Sequence, residues 1–179
     1  SDFPEANRYT LETAGLAIAD YERIQLSQQA PFQQWLRGAY SDLSDQEKRG
    51  AIHFFGKGEC ATCHNGPSLA NMEFHALGMA DLFQNNEEVF LTTDNGPEIL
   101  GRGGFTGRVE DNYKFKVPTL YNLKDSPFYG HGSSFTSIKE VLDYKNEGLK
   151  ENDLVPDHVL SPYFVPLNLT EQEIQDLEA

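Results

Sequence analysis

The sequence predicts a mainly α chain with long irregular loops. Three observations predict it. Three capping-box signatures each precede an apolar helical pattern. A stretch near the N-terminus repeats its apolar residues at the helical period. From about residue 71 to 115 the chain is polar and glycine-punctuated with no sustained period, and strand signals are few.

Residues 9–28 read as the first helix. Leu11, Ala14, Leu16, Ala17, Ile18, Tyr21 and Ile24 cluster on one side of a 3.6-residue period, which predicts a buried stripe, and Pro31 is expected to stop the helix or to follow it closely. A second helix is expected from Ser44. In Ser44-Asp45-Gln46-Glu47 the serine oxygen accepts a backbone N–H and the glutamate reaches back to the cap. Ala51, Ile52, Phe54 and Phe55 should form its buried face, and Gly56 and Gly58 should end it. Gly96, Gly101, Gly103, Gly104 and Gly107 punctuate the aperiodic stretch that follows. A segment of that length without regular structure is unusual in a compact domain unless it wraps a large ligand. Ser137-Ile138-Lys139-Glu140 caps a third helix through Val141, Leu142 and Tyr144. Thr170-Glu171-Gln172-Glu173 caps a fourth through Ile174 and Leu177, and the chain ends at Ala179, about two turns in, so this helix reads as cut short.

The length of 179 residues fits one domain, or one domain plus a helical fragment of another. With 14 basic and 28 acidic residues the net charge is −14, which leaves no electrostatic footprint for nucleic acid or an anionic membrane. Charged partners should be basic, or should dock through apolar surface. No apolar run approaches the roughly 18 residues of a membrane span. Ser1-Asp2-Phe3-Pro4 lacks a basic and apolar leader pattern, so a leader, had there been one, is expected to be already removed. Two cysteines cannot make a disulfide framework, so their spacing carries the interpretation.

That spacing is Cys60-Ala61-Thr62-Cys63-His64, the C-x-x-C-H pattern of covalent c-type haem attachment. Two thiols three positions apart can form thioethers with the two vinyl groups of one porphyrin. The adjacent histidine then lies under the ring, where its imidazole ligates iron. Its other ring nitrogen should donate to a backbone carbonyl, and Pro67 is near enough to belong to that loop. Structural zinc needs four ligands, and the sequence offers no second C-x-x-C and no H-x₃₋₅-H. A redox dithiol belongs in a βαβ setting, which the flanking glycines and prolines do not suggest. Residues 101–107 fail the dinucleotide pattern because position 106 is threonine, and residues 50–58 fail the phosphate-loop pattern because Gly58 stands where Ser or Thr is needed. No serine or cysteine nucleophile constellation is present.

The stretch Phe55-Gly56-Lys57-Gly58-Glu59-Cys60-Ala61-Thr62-Cys63-His64-Asn65-Gly66-Pro67 resembles the haem loop of the bacterial dihaem cytochrome c peroxidases. Phe74-His75-Ala76-Leu77-Gly78 is similar to that family's Phe-His-Asn-x-Gly segment, and Lys114-Phe115-Lys116-Val117-Pro118-Thr119-Leu120 to its Lys-Phe-Lys-Val-Pro-Thr-Leu. Pro127-Phe128-Tyr129-Gly130-His131-Gly132, the Ser137 to Leu142 stretch, Leu160-Ser161-Pro162 and Pro166-Leu167-Asn168-Leu169-Thr170 follow in the family's order. The resemblance implies a cytochrome c-like haem domain over residues 41–179. Residues 1–40 would be a connecting helix and turn from a preceding domain, with Ala30-Pro31-Phe32-Gln33-Gln34-Trp35-Leu36 as the turn.

The family has two haem domains. In its peroxidatic members the N-terminal haem meets peroxide, while the C-terminal haem receives electrons from a small cytochrome or copper protein. A related branch, the methylamine dehydrogenase maturation enzymes, oxidises protein side chains. All matches here are to the C-terminal domain. The resemblance therefore implies one covalent haem c and an electron-transfer role beside a second haem domain or chain. It also implies an extracytoplasmic, periplasmic setting. A homodimer is a further partner to consider. The family often holds calcium between its domains, and calcium stays open here, although the loop around Lys124 and Asp125 shows no oxygen-rich pattern.

Three departures mark the resemblance. Tyr121 replaces the arginine of Pro-Thr-Leu-Arg-Asn, the loop 122–127 is one residue shorter, and His-Asp-Gly becomes Gly130-His131-Gly132. In the family the sixth iron ligand follows Glu-Val-Val-x-x as methionine or tyrosine. Counting from Glu140-Val141-Leu142 gives Lys145, with Tyr144 just before it. Lys145 or Tyr144 is therefore the expected ligand, the register favouring Lys145. Met79, His131 and an open site are the alternatives.

His75 is weighed as a propionate partner against a histidine satisfied by its own loop, and His131 as a group touching the cofactor. His53 is expected to be packed or half-exposed, and His158 to be on the surface. Met72 and Met79 are more often core than ligand, Trp35 is more often packing than electron relay, and Glu87-Glu88 reads as solvated surface. Three functions follow: an electron-entry domain of a dihaem peroxidase-type enzyme, not catalytic by itself; a free-standing monohaem carrier; or a haem protein with an open iron site.

Overall fold

The structure, a computed structural model, describes residues 9–25, 29–81, 84 and 96–179. The expected last turn of the first helix at 26–28, the leader reading at residues 1–4 and the Glu87-Glu88 surface all lie outside the described residues. The chain forms two compact units, residues 1–42 and 43–179.

The first unit carries α1 (Leu11–Ile24) and α2 (Pro31–Leu36). Thr10 caps α1, and Thr13 returns the bond: each threonine hydroxyl accepts the other's backbone N–H, at 3.2 and 3.0 Å. A search for Ser/Thr followed by Glu/Gln misses this cap because threonine fills the third position. The expected buried stripe is not buried. Leu11, Ile18, Tyr21 and Ile24 are exposed, and only Thr13 is buried, because the described residues supply no second layer over the stripe. Pro31 does not simply stop α1. It opens α2, where its fixed φ suits the first helical position and its missing N–H costs nothing. The Trp35 ring stacks on Phe32 at 6.2 Å and meets Tyr40 edge-on at 6.4 Å, so it is a packing residue.

The second unit is built on α3 (Asp45–Phe55), α4 (Arg102–Thr106), α5 (Ile138–Glu147) and α6 (Glu171–Glu178). The expected capping boxes form at Ser44/Glu47, Ser137/Glu140 and Thr170/Glu173. The aperiodic stretch holds more structure than its sequence suggests. A two-residue antiparallel pair joins β1 (Phe74–His75) to β2 (Phe115–Lys116), and single turns at Pro97–Leu100 and Val109–Asp111 flank α4. Each element is too short for a period to register.

The face α3 buries is also not the apolar one. Ile52 and Phe55 are exposed, while Gly50 is buried against α6. A Cβ on Gly50 would sit 2.0 Å from the Asp176 carbonyl oxygen, so only glycine admits this crossing. Polar side chains one turn apart seal it. Arg49 donates twice to Asp176, from Nε at 2.8 Å and Nη2 at 2.9 Å, and Gln46 Nε2 donates to the Gln175 carbonyl at 3.0 Å. Lys57 Nζ donates to Glu173 at 2.6 Å, and His53 lies between Glu173 and Asp176, 3.9 Å from each. Ile174, buried on α6, adds the apolar contribution.

The core is an aromatic row. Tyr144 of α5 lies 5.2 Å from Phe135 and 5.1 Å from Phe164, with Leu77, Met79, Tyr129, Val141 and Leu160 packed around the three. Burying rings of this kind contributes about 1.5–3 kcal/mol each. Asn146 clasps the approach to α6, accepting from the Leu169 N–H at 2.7 Å and donating to its carbonyl at 3.1 Å.

Gly50→Ala should lower stability by about 1–3 kcal/mol or more through forced separation of α3 and α6, read as a fall in thermal midpoint. The same crossing is acid-sensitive. Hydrogen bonding from Lys57, aided by the Thr170 N–H, holds Glu173 down from 4.5 to about 2, and Arg49 lowers Asp176. A depressed carboxylate contributes stability fully above its unfolded value, and that stability is lost as pH falls through the folded value. The thermal midpoint should therefore drop on acidification from about pH 4.5 toward 2. Glu173→Gln should start lower at neutral pH and fall less steeply over that window.

Candidate haem-attachment site

Helix α3 delivers the chain directly to the Cys-x-x-Cys-His segment. The Gly58 N–H donates to the His53 carbonyl at 2.8 Å, Glu59 turns into the left-handed region at φ 52°, and Cys60–Thr62 form a single 3₁₀ turn. The His64 N–H donates to the Cys60 carbonyl at 2.9 Å and closes the turn. Asn65 Nδ2 donates to the Ala61 and Thr62 carbonyls, and the Asn71 N–H donates to that of Cys63 at 2.9 Å.

Cys60 and Cys63 are both free and half-buried. Burial pushes both thiols up, against a smaller downward pull from Lys145. A redox dithiol needs the opposite, an attacking thiol shifted down. Among the described residues no group of three or more His, Cys, Asp or Glu is placed to hold a metal ion.

The His64 ring lies with Nδ1 3.0 Å from the Leu69 carbonyl oxygen. A carbonyl only accepts, so Nδ1 carries the proton and Nε2 keeps its lone pair, the form that binds iron. Burial lowers the His64 pKa, which favours that neutral ring. The loop that supplies the carbonyl is braced from the 117–121 segment. Thr119 Oγ1 donates to the Ser68 carbonyl at 2.7 Å and the Tyr121 hydroxyl to that of Pro67 at 2.5 Å. Tyr121, which reads in sequence as a lost arginine, thus has a positioning role, and Pro67 does belong to the loop. Sequence reasoning missed Leu69 and Thr119. Leu69 acts through its backbone oxygen and leaves no side-chain signal.

The structure separates the two residues left open on α5. Val141 and Tyr144, three apart, share the stripe that faces the aromatic core. The Tyr144 hydroxyl donates to the Leu77 carbonyl at 2.6 Å, and burial raises its pKa well above the ordinary value. A phenol committed to a carbonyl acceptor is not the phenolate an iron ligand requires. Lys145, one step further round, leaves the core stripe. Its ammonium is 5.5 Å from the Phe164 ring centre, and its charge reaches Cys60, Cys63 and His64. Its exposed area is intermediate, but its amine end is desolvated enough to lower its pKa to about 8.

The remaining candidates sit elsewhere. His75 has side-chain partners on both ring nitrogens, Ser161 Oγ at 3.1 Å and Glu73 at 3.3 Å, and meets Tyr163 edge-on. It fastens the 161–163 segment to β1 and has no ring nitrogen to spare for a propionate. His131 stacks on Phe115 at 3.7 Å with Nε2 3.5 Å from Asp81, and burial lowers its pKa against the pull of that carboxylate. Gly132 beside it has no room for a side chain, since a Cβ would lie 2.1 Å from the Ala80 carbonyl oxygen. Met79 packs in the core, Met72 is exposed, and His158 is exposed.

This is a mainly α domain with two free thiols and a tautomer-fixed imidazole on one turn. No protein-family model matches the chain. It is 31% identical over 181 aligned positions to the cytochrome-c peroxidase IdrP1 of Denitromonas iodatirespirans, covering 91% of this chain and 47% of that protein. It is 30% identical over 165 positions to the methylamine utilization protein MauG of Methylorubrum extorquens, covering 91% and 41%. Among solved structures, a MauG-like protein associated with microbial copper homeostasis superposes with a TM-score of 0.71 at 26% identity, over 94% of this chain and 51% of that one. The chain belongs to the bacterial dihaem cytochrome c peroxidase and MauG family, matching its C-terminal half, and spans about half the length of the curated relatives it matches.

Tyr144→Phe should leave the Leu77 carbonyl buried without a partner and cost about 1–3 kcal/mol, measured by denaturant unfolding.

Proposed function

We propose that this chain is the electron-transfer domain of a dihaem peroxidase-type oxidoreductase and carries one covalent haem c. Cys60 and Cys63 would hold the porphyrin as thioethers and His64 Nε2 would bind iron. The observation that carries the reading is the His64 Nδ1–H bond to the Leu69 carbonyl at 3.0 Å, directly after two free cysteines on the same turn. It leaves a neutral nitrogen donor in the one form that c-type ligation uses. When bound, the group supplies one-electron chemistry. The chain's own residues would attach it and fix the ring that ligates it. The raised thiols are no obstacle, since attachment consumes them.

The electrons would come from a small cytochrome or copper protein, as in the family, and pass to a second haem domain where the oxidant is met. Such a donor should present a basic or apolar face to this acidic chain. A periplasmic setting fits bacterial relatives such as the cytochrome c peroxidase Ccp of Escherichia coli. Among the described residues no helix is long and apolar enough to cross a membrane.

Produced with the haem-attachment machinery in an oxidising compartment, the chain should gain the mass of one haem that survives acid-acetone extraction. Cys60→Ala or Cys63→Ala should leave one thioether, read as a shifted pyridine haemochrome band. Loss of all haem to the solvent, or zinc in its place, would sink the reading. Steady-state assays of the haem-loaded chain with peroxide and a reducing cytochrome should show no saturable turnover; robust turnover would make this haem itself the catalytic one.

A further inference from the structure

We propose that Asn65-Gly66 is a site of spontaneous covalent modification. The Asn65 carboxamide converts through a succinimide to isoaspartate, and the change loosens the tether of the His64 ring. The site belongs to the chain itself and stands without haem; only its effect on the iron rests on the reading of His64 as ligand.

The nucleophile is the Gly66 backbone nitrogen. Asn65 and Gly66 are both exposed. Gly66 sits at φ 70°, and a Cβ built on it would find nothing within 4 Å. Its N–H makes no hydrogen bond among the described residues. With no side chain on its own Cα, this is the least hindered kind of nitrogen a backbone offers. The electrophile, Asn65 Cγ, belongs to the residue just before it, so attack closes a five-membered ring. Two bonds from Asn65 Nδ2, to the Ala61 and Thr62 carbonyls at 3.1 and 3.2 Å, oppose the reaction. They hold the atom that leaves and not the carbon that is attacked, and they are exposed, where water competes for both partners. Asn71 is the natural contrast. It too donates to the Thr62 carbonyl, at 3.3 Å, but a second bond to Glu73 at 3.0 Å holds its amide and the side chain of Met72 hinders the following nitrogen.

The step needs only water. The Gly66 nitrogen gives its proton to solvent and bonds to Asn65 Cγ. The Cγ–Nδ2 bond breaks and ammonia leaves, giving the succinimide. Water then adds to one ring carbonyl. Opening at Cγ gives aspartate with an ordinary backbone. Opening at the main-chain carbonyl gives isoaspartate, in which the chain runs through the side-chain carbon and is one atom longer.

That extra atom falls inside the loop that sets the His64 tautomer. The loop runs from His64 to the Leu69 carbonyl, 3.0 Å from Nδ1, and is closed by the Leu69 N–H on the Gly66 carbonyl at 3.1 Å and the Ala70 N–H on that of Asn65 at 2.9 Å. Thr119 and Tyr121 pin its far part through Ser68 and Pro67, so the added length is taken up on the His64 side. The carboxylate left in either product only accepts hydrogen bonds, so the Ala61 and Thr62 carbonyls also lose the Asn65 donor.

The test ages the haem-loaded full chain at mildly alkaline pH and maps its peptides by fragmentation mass spectrometry. Site-resolved mapping separates Asn65 from Asn95-Gly96, the other such pair in the sequence, whose asparagine lies outside the described residues. Asn65 should gain about one dalton, as two separable products, one of them methylated by a protein-isoaspartate methyltransferase. The rate should rise in proportion to hydroxide. Asn71 should stay intact, and so should residue 65 in Asn65→Gln, whose ring would have six members. The isoaspartate fraction should have a higher reduction potential than the parent, because losing the Nδ1–H bond makes the imidazole a weaker donor; Asn65→Asp, which keeps the loop length, should shift it less. An Asn65 that stays intact in the folded chain, over an interval in which the urea-unfolded chain modifies there, overturns the site. An isoaspartate fraction with the parent's potential overturns the effect on His64. A parent chain without haem overturns the ligand reading and that effect with it, while the mass change still decides the site.

Discussion

The second unit depends on one close approach, the crossing of α3 and α6 at Gly50. The backbone of Asp176 occupies the space a Cβ would need, and the Arg49–Asp176 pair bridges the same turn with two bonds. An Asp176 side chain that is 2% exposed can remain charged only because Arg49 and Gln172 satisfy it. Since α3 runs straight into Glu59 and the Cys60–Thr62 turn, fixing α3 against α6 also fixes where the two thiols and His64 emerge. Asn146 carries the constraint further. Its side chain ties α5 to Leu169, just ahead of α6, so the helix that bears Lys145 is referenced to the same crossing.

Within that frame the site is assembled from backbone as much as from side chains. The tautomer of His64 is set by a carbonyl, Leu69, and the loop carrying that carbonyl is braced by hydroxyls of Thr119 and Tyr121 acting on two further carbonyls. The arrangement is rigid because each bond ends on main chain, which cannot rotate away as a side chain can. It also explains why the exchange of an arginine for Tyr121 is compatible with the loop: the phenol takes a role that needs only one donor at the right distance.

Neighbouring residues on α5 divide the labour. Tyr144 serves the core and Lys145 leaves its stripe, although one helical step separates them. Tyr144 is the middle ring of the aromatic core and its hydroxyl is bonded to the Leu77 carbonyl, while Lys145 forms no hydrogen bond or ion pair among the described residues.

By itself the sequence determined the local instructions. Ser44, Ser137 and Thr170 with their third-position glutamates marked three helix starts, and Cys60, Cys63 and His64 marked the chemistry, because capping and covalent attachment need particular atoms at short, fixed spacing. The family and its C-terminal half were legible for the same reason. The sequence misread which faces are buried. The apolar stripe of α1 lies exposed, and α3 turns Gly50 and a polar ladder toward α6 and leaves Ile52 and Phe55 out. Amphipathic period predicts burial only when apolar contact decides the packing, and here backbone proximity and ion pairs decide it. The part played by Leu69, the bracing hydroxyls, the partners that tie down His75, and the placing of Tyr144 in the core were settled only by tertiary structure. Each depends on a carbonyl or a ring brought in from tens of residues away, and no spacing along the chain encodes that meeting.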